Sequence, residues 1–104
     1  MSKRKKTATI SVDQIEILVD LLKTLGDSTR LNIILLCLKR RFSVGEIADH
    51  LKLSQPLVSH HLRLLKAARL VRAEREGQHI FYTLSDQHVS GVLQDLIAHI
   101  NEVS

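Results

Sequence analysis

Apolar residues recur at three- and four-residue intervals early in the chain. Ile15, Leu18, Val19, Leu22 and Leu25 share one face of a helix that starts near Ser11 and stops at Gly26. Asp27 or Ser28 caps a second helix, in which Leu31, Ile33, Ile34, Leu35, Leu36, Cys37 and Leu38 put apolar groups on nearly every side. That distribution predicts a central, buried helix, ended by the exposed run Lys39, Arg40, Arg41. Ser43-Val44-Gly45-Glu46 has the form of a capping box and opens a short helix carrying Ile47, Ala48 and Leu51. Ser54 starts another that runs to about Ala68, with Pro56 tolerated in its first turn. Two short helices parted by Leu51-Lys52-Leu53 make a helix-turn-helix pattern. From Leu70 the period falls to two. Val71 and Ala73 alternate with Arg72 and Glu74, Gly77 marks a turn, and Ile80, Tyr82 and Leu84 share a face, which predicts a β-hairpin. Ser85 and Asp86 then cap a last helix bearing Val89, Val92, Leu93, Leu96, Ile97, Ile100 and Val103. The fold class is mainly α with one β-hairpin, over residues 11–104, behind a basic tail at 1–10 that is expected to be disordered.

Composition narrows what such a chain does. Its 104 residues make one small domain. No apolar run approaches the ~20 residues of a membrane span, and no secretory leader pattern is present, so a cytoplasmic location is expected. The single cysteine, Cys37, excludes an internal disulfide and a multi-thiolate chelate within one chain; inside its apolar run it reads as a core residue. Aromatic residues are only 3%, so an oligomer that shares a core is expected.

The formal net charge is +4, yet Lys3, Arg4, Lys5 and Lys6 account for all of it. The rest is neutral but segregated. Residues 28–53 and 54–84 each carry +3, whereas 7–27 and 85–104 each carry −3. The positive middle therefore coincides with the helix pair and the hairpin.

The second helix of that pair separates into faces. Val58, Leu62 and Leu65 face the core, while Gln55, Ser59 and Arg63 line another side with His60 beside them. Short hydrogen-bonding side chains near a helix start, beginning with Ser54 and followed by Arg63, suit base edges and flanking phosphates in a major groove. The hairpin tip, with Arg75 and Gln78, is placed to meet the DNA backbone or minor groove. A solvated helix face is the plain alternative; the agreement of charge with motif favours double-stranded DNA. His61 reads as partly buried packing among Leu57, Leu64 and Leu65, and His50 as a charge partner at a helix C-terminus.

The stretch Leu25-Gly26-Asp27-Ser28-Thr29-Arg30-Leu31-Asn32-Ile33-Ile34-Leu35 resembles the helix opening of the ArsR/SmtB family of winged-helix repressors. Leu53-Ser54-Gln55-Pro56-Leu57-Val58-Ser59-His60-His61-Leu62 is similar to its recognition helix, and Gly77-Gln78-His79-Ile80-Phe81-Tyr82 to its wing. The similarity runs over roughly residues 15 to 103, with the motifs in family order. It implies a winged helix-turn-helix, a homodimer through the terminal helices, and a bacterial-type repressor that leaves its operator when an inducer binds.

The last helix adds a candidate inducer site of Asp86, His88, His99 and Glu102. His88 and His99 are eleven residues apart, so they share a helix face but stand roughly 16 Å apart along it. Zinc ligands each lie within about 2.2 Å of the ion, so one straight helix does not gather all four. Two antiparallel copies do: Asp86 and His88 of one chain meet His99 and Glu102 of the other, twice by symmetry. Asp86 reaches the site from the helix's frayed first turn. Two imidazoles and two carboxylates suit tetrahedral Zn(II), with Co(II) or Ni(II) also compatible. The resemblance implies the same, because zinc sensors of this family carry such ligands at this spacing. Their cysteine site has Ser43 at the corresponding place here, which makes thiolate sensing of arsenite or cadmium unexpected. The expected function is a metal-responsive repressor, not an enzyme. The alternatives are a same-fold repressor answering Ni, Co or a thiol oxidant, and a constitutive DNA-binding protein.

Overall fold

The computed structural model describes residues 9–103, with the side chain of residue 103 left aside. Its elements run α1 (Val12–Leu25), α2 (Ser28–Lys39), β1 (Phe42–Ser43), α3 (Val44–Leu51), α4 (Gln55–Ala67), β2 (Val71–Glu76), β3 (His79–Leu84) and α5 (Gln87–Val103). The basic run at 3–6 lies outside the described residues, and so does most of the 1–10 tail. Thr9 and Ile10 are exposed and have no regular structure.

Short polar side chains set the helix starts. Ser11 and Gln14 form a capping box at α1, and Ser43 and Glu46 form another at α3. At α2 it is Asp27, of the two candidates, that caps, its carboxylate accepting the Arg30 amide at 3.0 Å. Ser54 accepts the Leu57 amide at 3.3 Å and opens α4, with Pro56 in the first turn. Lys52 ends α3 in the left-handed region at φ 58°, which turns the chain sharply into α4.

The core lies where α2, α3 and α4 cross the base of the hairpin. Ile33, Ile34, Ile47, Val58 and Leu65 are fully buried, with Leu62, Leu70 and Val71 almost so. As the apolar pattern predicts, α2 runs through the centre, and Cys37 is buried in it. The sheet has one strand more than the predicted hairpin. Phe42 and Ser43 pair with Tyr82 and Phe81, giving the antiparallel order β1-β3-β2. Two residues are too few to show a period in the sequence; Phe42, only 3% exposed, is what seats that strand. The alternation predicted for the hairpin also holds only at its base. Val71 and Leu84, a register pair, are buried, whereas Ala73 and Ile80 are exposed because the distal half projects beyond the helices.

The terminal helices are less complete. No residue of α1 is buried; Leu21 and Leu25 pack on the core from one side. Ile17 is 65% exposed, and Leu22, Val92, Leu96 and Ile100 are all more than half exposed. Between α1 and α5 runs an apolar groove of about 270 Å³, lined in part by Leu18, Leu22, His88 and Val92. The missing core anticipated from composition is thus an apolar face at the two ends of the chain.

Candidate DNA interface and metal site

Helix α4 presents the predicted stripe. Gln55, His60 and Arg63 are exposed and Ser59 is half-buried, while Val58, Leu62 and Leu65 on the other side fix the helix to the core. The Ser54 oxygen is engaged by the Leu57 amide, which leaves its O–H free to donate outward. Gly45, at the start of α3, faces the Gln55 side-chain amide at a distance that would give a β-carbon ordinary contact, 3.6 Å. In the hairpin, Glu76 pairs with His79, and Gly77 takes φ +63° at the first position of the two-residue loop. Arg75 and Gln78 are both exposed there.

His61 is partly buried, as predicted, but it has a partner that the sequence does not show. Of the leucines one turn away, Leu65 is fully buried, whereas Leu57 and Leu64 are 41% and 39% exposed. The His61 Nδ1 lies 3.4 Å from a guanidinium nitrogen of Arg30, whose Nε donates to the Thr24 carbonyl at 2.8 Å. The helix packs across α2, which brings this polar partner to the ring. Burial holds the imidazole pKa below its usual value, Arg30 and His60 add to that, and Asp27 opposes it. His50 stands in the last turn of α3, as predicted; its Nδ1 lies 3.0 Å from the Glu46 carbonyl, and its ring meets Phe42 edge-on at 5.2 Å.

Arg40 and Arg41 form a constellation that sequence reasoning missed. The Arg40 guanidinium sits 3.7 Å from the Phe42 ring centroid and 3.5 Å from Glu46. That of Arg41 sits 4.3 Å from the Phe81 centroid and pairs with Glu74 and Glu76. A basic run at a helix end carries no signal of which acids it meets: Glu46 is six residues from Arg40, but Glu74 and Glu76 lie more than thirty residues from Arg41. The Glu46 carboxyl is held below the usual carboxylate range, first by the Ser43 amide and then by Arg40.

Asp86, His88, His99 and Glu102 are all exposed on or beside α5. Asp86 accepts the Val89 amide at 3.0 Å and so caps the helix. The other three side chains have no hydrogen-bond or ion-pair partner among the described residues. No group of three metal-ligating side chains converges within one chain, again among the described residues. The donors stand at opposite ends of one helix, in agreement with the spacing, and a single copy does not fit an ion. The donor chemistry fits one only if two copies bring opposite ends of α5 together.

A helix pair packed on a projecting hairpin defines a winged helix-turn-helix domain. Residues 27–73 match the family described as bacterial regulatory protein, arsR family. The chain is 40% identical over 83 residues to the HTH-type transcriptional repressor SmtB of Mycobacterium tuberculosis, which covers 80% of this chain. It spans only 62% of the length of that relative. Among solved structures, HlyU from Vibrio cholerae superposes with a TM-score of 0.75 at 36% identity, covering 83% of this chain and 94% of that one. The cadmium metal-sensor CMTR from M. tuberculosis does so with a TM-score of 0.67 at 35% identity, covering 76% and 82%. The chain belongs to the ArsR family. Its relatives are transcription regulators and not enzymes. None of the described helices is long and apolar enough to cross a membrane.

Proposed function

We propose that this chain is a metal-responsive transcriptional repressor, acting in the cytoplasm as a homodimer on an inverted-repeat operator. The exposed N₂O₂ donor set, of which only Asp86 has a partner, carries the reading. His88, His99 and Glu102 sit with Asp86 on a helix whose apolar side is also uncovered. Two antiparallel α5 helices would cover that side and bring Asp86 and His88 of one copy to His99 and Glu102 of the other. Zn(II) is the favoured ion, with Co(II) or Ni(II) compatible with the same donors. Bound there, the ion supplies a cross-link between the terminal helices of the two copies.

The protein's own part is to present Ser54, Gln55, Ser59, His60 and Arg63 to successive major grooves, with Arg75 and Gln78 at the flanking backbone. Repression by the apo dimer and release by metal are then one linkage: a dimer geometry that suits the ion suits the operator less. DNA must weaken metal binding by the same factor. A coupling of about 1–3 kcal/mol suffices to empty an operator appreciably. SmtB is a transcriptional repressor and CMTR a cadmium metal-sensor, and both similarities extend over most of this chain. A thiol-oxidant signal is disfavoured, since burial pushes the Cys37 thiol up to about 12.

The test uses a duplex selected by the chain itself from a random-sequence pool. Wild type is expected to bind it without metal and to release it with Zn(II), and His99→Ala to bind in both conditions. Wild-type binding indifferent to zinc would sink the sensor reading.

A further inference from the structure

The wing carries two acids, Glu74 and Glu76, on the strand that also supplies Arg75. Beside a polyanion each weakens the long-range attraction, so their place calls for a structural reason. Register supplies one. Arg41 directly precedes β1, an edge strand; Phe81 lies on the central strand, opposite both Ser43 and Glu74. The Arg41 side chain therefore starts at one edge, lies over Phe81, and ends on Glu74 and Glu76 of the far strand. Arg72 fixes Glu74 from its own strand, one nitrogen on the carboxylate and the other on the Ser85 carbonyl, both at 2.9 Å.

Such ties have leverage here. The distal hairpin, residues 75–80, is exposed throughout and has no core contact to hold its angle. A two-stranded hairpin is only marginally stable alone. One exposed ion pair adds little, but a guanidinium stacked on a ring and shared by two carboxylates adds the contributions of several contacts in one geometry.

We propose that Arg41 is a positioning residue: clasped by Glu74 and Glu76 across Phe81, it holds the wing at the angle at which Arg75 and Gln78 meet DNA. The role rests on the DNA-binding reading above. On this assignment Arg41 is spent on carboxylates and releases no counterion on binding, whereas Arg75 does.

Amide hydrogen exchange on the DNA-free protein is the first test, because it is independent of DNA. Arg41→Ala should speed exchange at residues 75–80 about fivefold, a loss of roughly 1 kcal/mol, and leave Ile33 and Leu62 unchanged. Glu76→Gln, which leaves Arg41 in place, should do the same, and the double variant should add little to either. Operator affinity gives the second test. Arg41→Ala should lower it several-fold with the same salt slope, while Arg75→Ala flattens the slope by about one. Unchanged exchange in the wing for both single variants, or a slope lowered by one in Arg41→Ala, would overturn the assignment. If wild type selects no duplex, the DNA reading fails, and the exchange data still decide whether Arg41 braces the hairpin.

Discussion

The Asp86 carboxylate accepts the amide hydrogen of Val89 at 3.0 Å, so a candidate metal ligand is also the cap of the helix that carries its fellow donors. One of its oxygens is committed to the backbone, on a side chain that is otherwise exposed. The two roles are separable. Asp86→Asn keeps an acceptor for the cap and removes the anionic ligand; it is expected to melt like wild type and to bind Zn(II) at least about tenfold more weakly. Asp86→Ala is expected to lose roughly 1 kcal/mol of stability as well. Thermal unfolding alongside a competitive zinc titration distinguishes the variants.

On the proposed role of α4 in DNA reading, Arg63→Ala should weaken binding to every duplex alike and reduce the salt slope by about one, as loss of a phosphate contact does. Gln55→Ala and Ser59→Ala should instead relax preference at particular base pairs, at about 1–3 kcal/mol for a base contact. Selection from random pools read by sequencing checks both.

Cys37 is buried and its thiol is pushed up to about 12 by desolvation. Iodoacetamide is expected to leave the folded protein unmodified and to label it once denatured. The unfolded chain loses this proton near its ordinary pKa and the folded one does not. Stability is therefore expected to fall as pH rises above about 9, a trend that Cys37→Ala should reduce. Denaturant midpoints from pH 7 to 10 measure it.

His61 gives the opposite trend. Burial, then Arg30, keeps its imidazole neutral to lower pH than in the unfolded chain. The unfolded state thus takes up a proton first, and stability is expected to decline as pH falls below about 6.5, more weakly in His61→Gln. Urea midpoints between pH 5 and 7.5 follow it.

The elements that the sequence announces are those whose physics is local. Ser43 and Glu46 spell their capping box within four residues, and the period of α1 or α5 needs only a dozen. The all-round apolar character of α2 likewise tells of its central place. What stays hidden depends on encounters across the fold. His61 sits one turn from three leucines in the sequence, yet its polar partner is Arg30, thirty-one residues away. Arg41 reads as the exposed end of a helix until the sheet register sets Phe81, Glu74 and Glu76 in front of it. The donors on α5 are intermediate: spacing alone says that one copy does not suffice, while how a second copy would meet it lies outside anything a single sequence spells.

The unburied α1 also bears on how the chain folds. A helix of 14 residues holds together in water mainly by covering an apolar side, and none of α1's residues is buried in one copy. If a second copy completes α1, as the proposed homodimer requires, its formation becomes second order in protein, while the α2–α4 core closes at a rate independent of concentration. Dilution is then expected to erode helical circular dichroism before it disturbs the sheet, and stopped-flow refolding should show one concentration-dependent phase. The cell's stock of this protein would itself set how much of it is fully folded, so each synthesis burst matures faster than the trickle that follows.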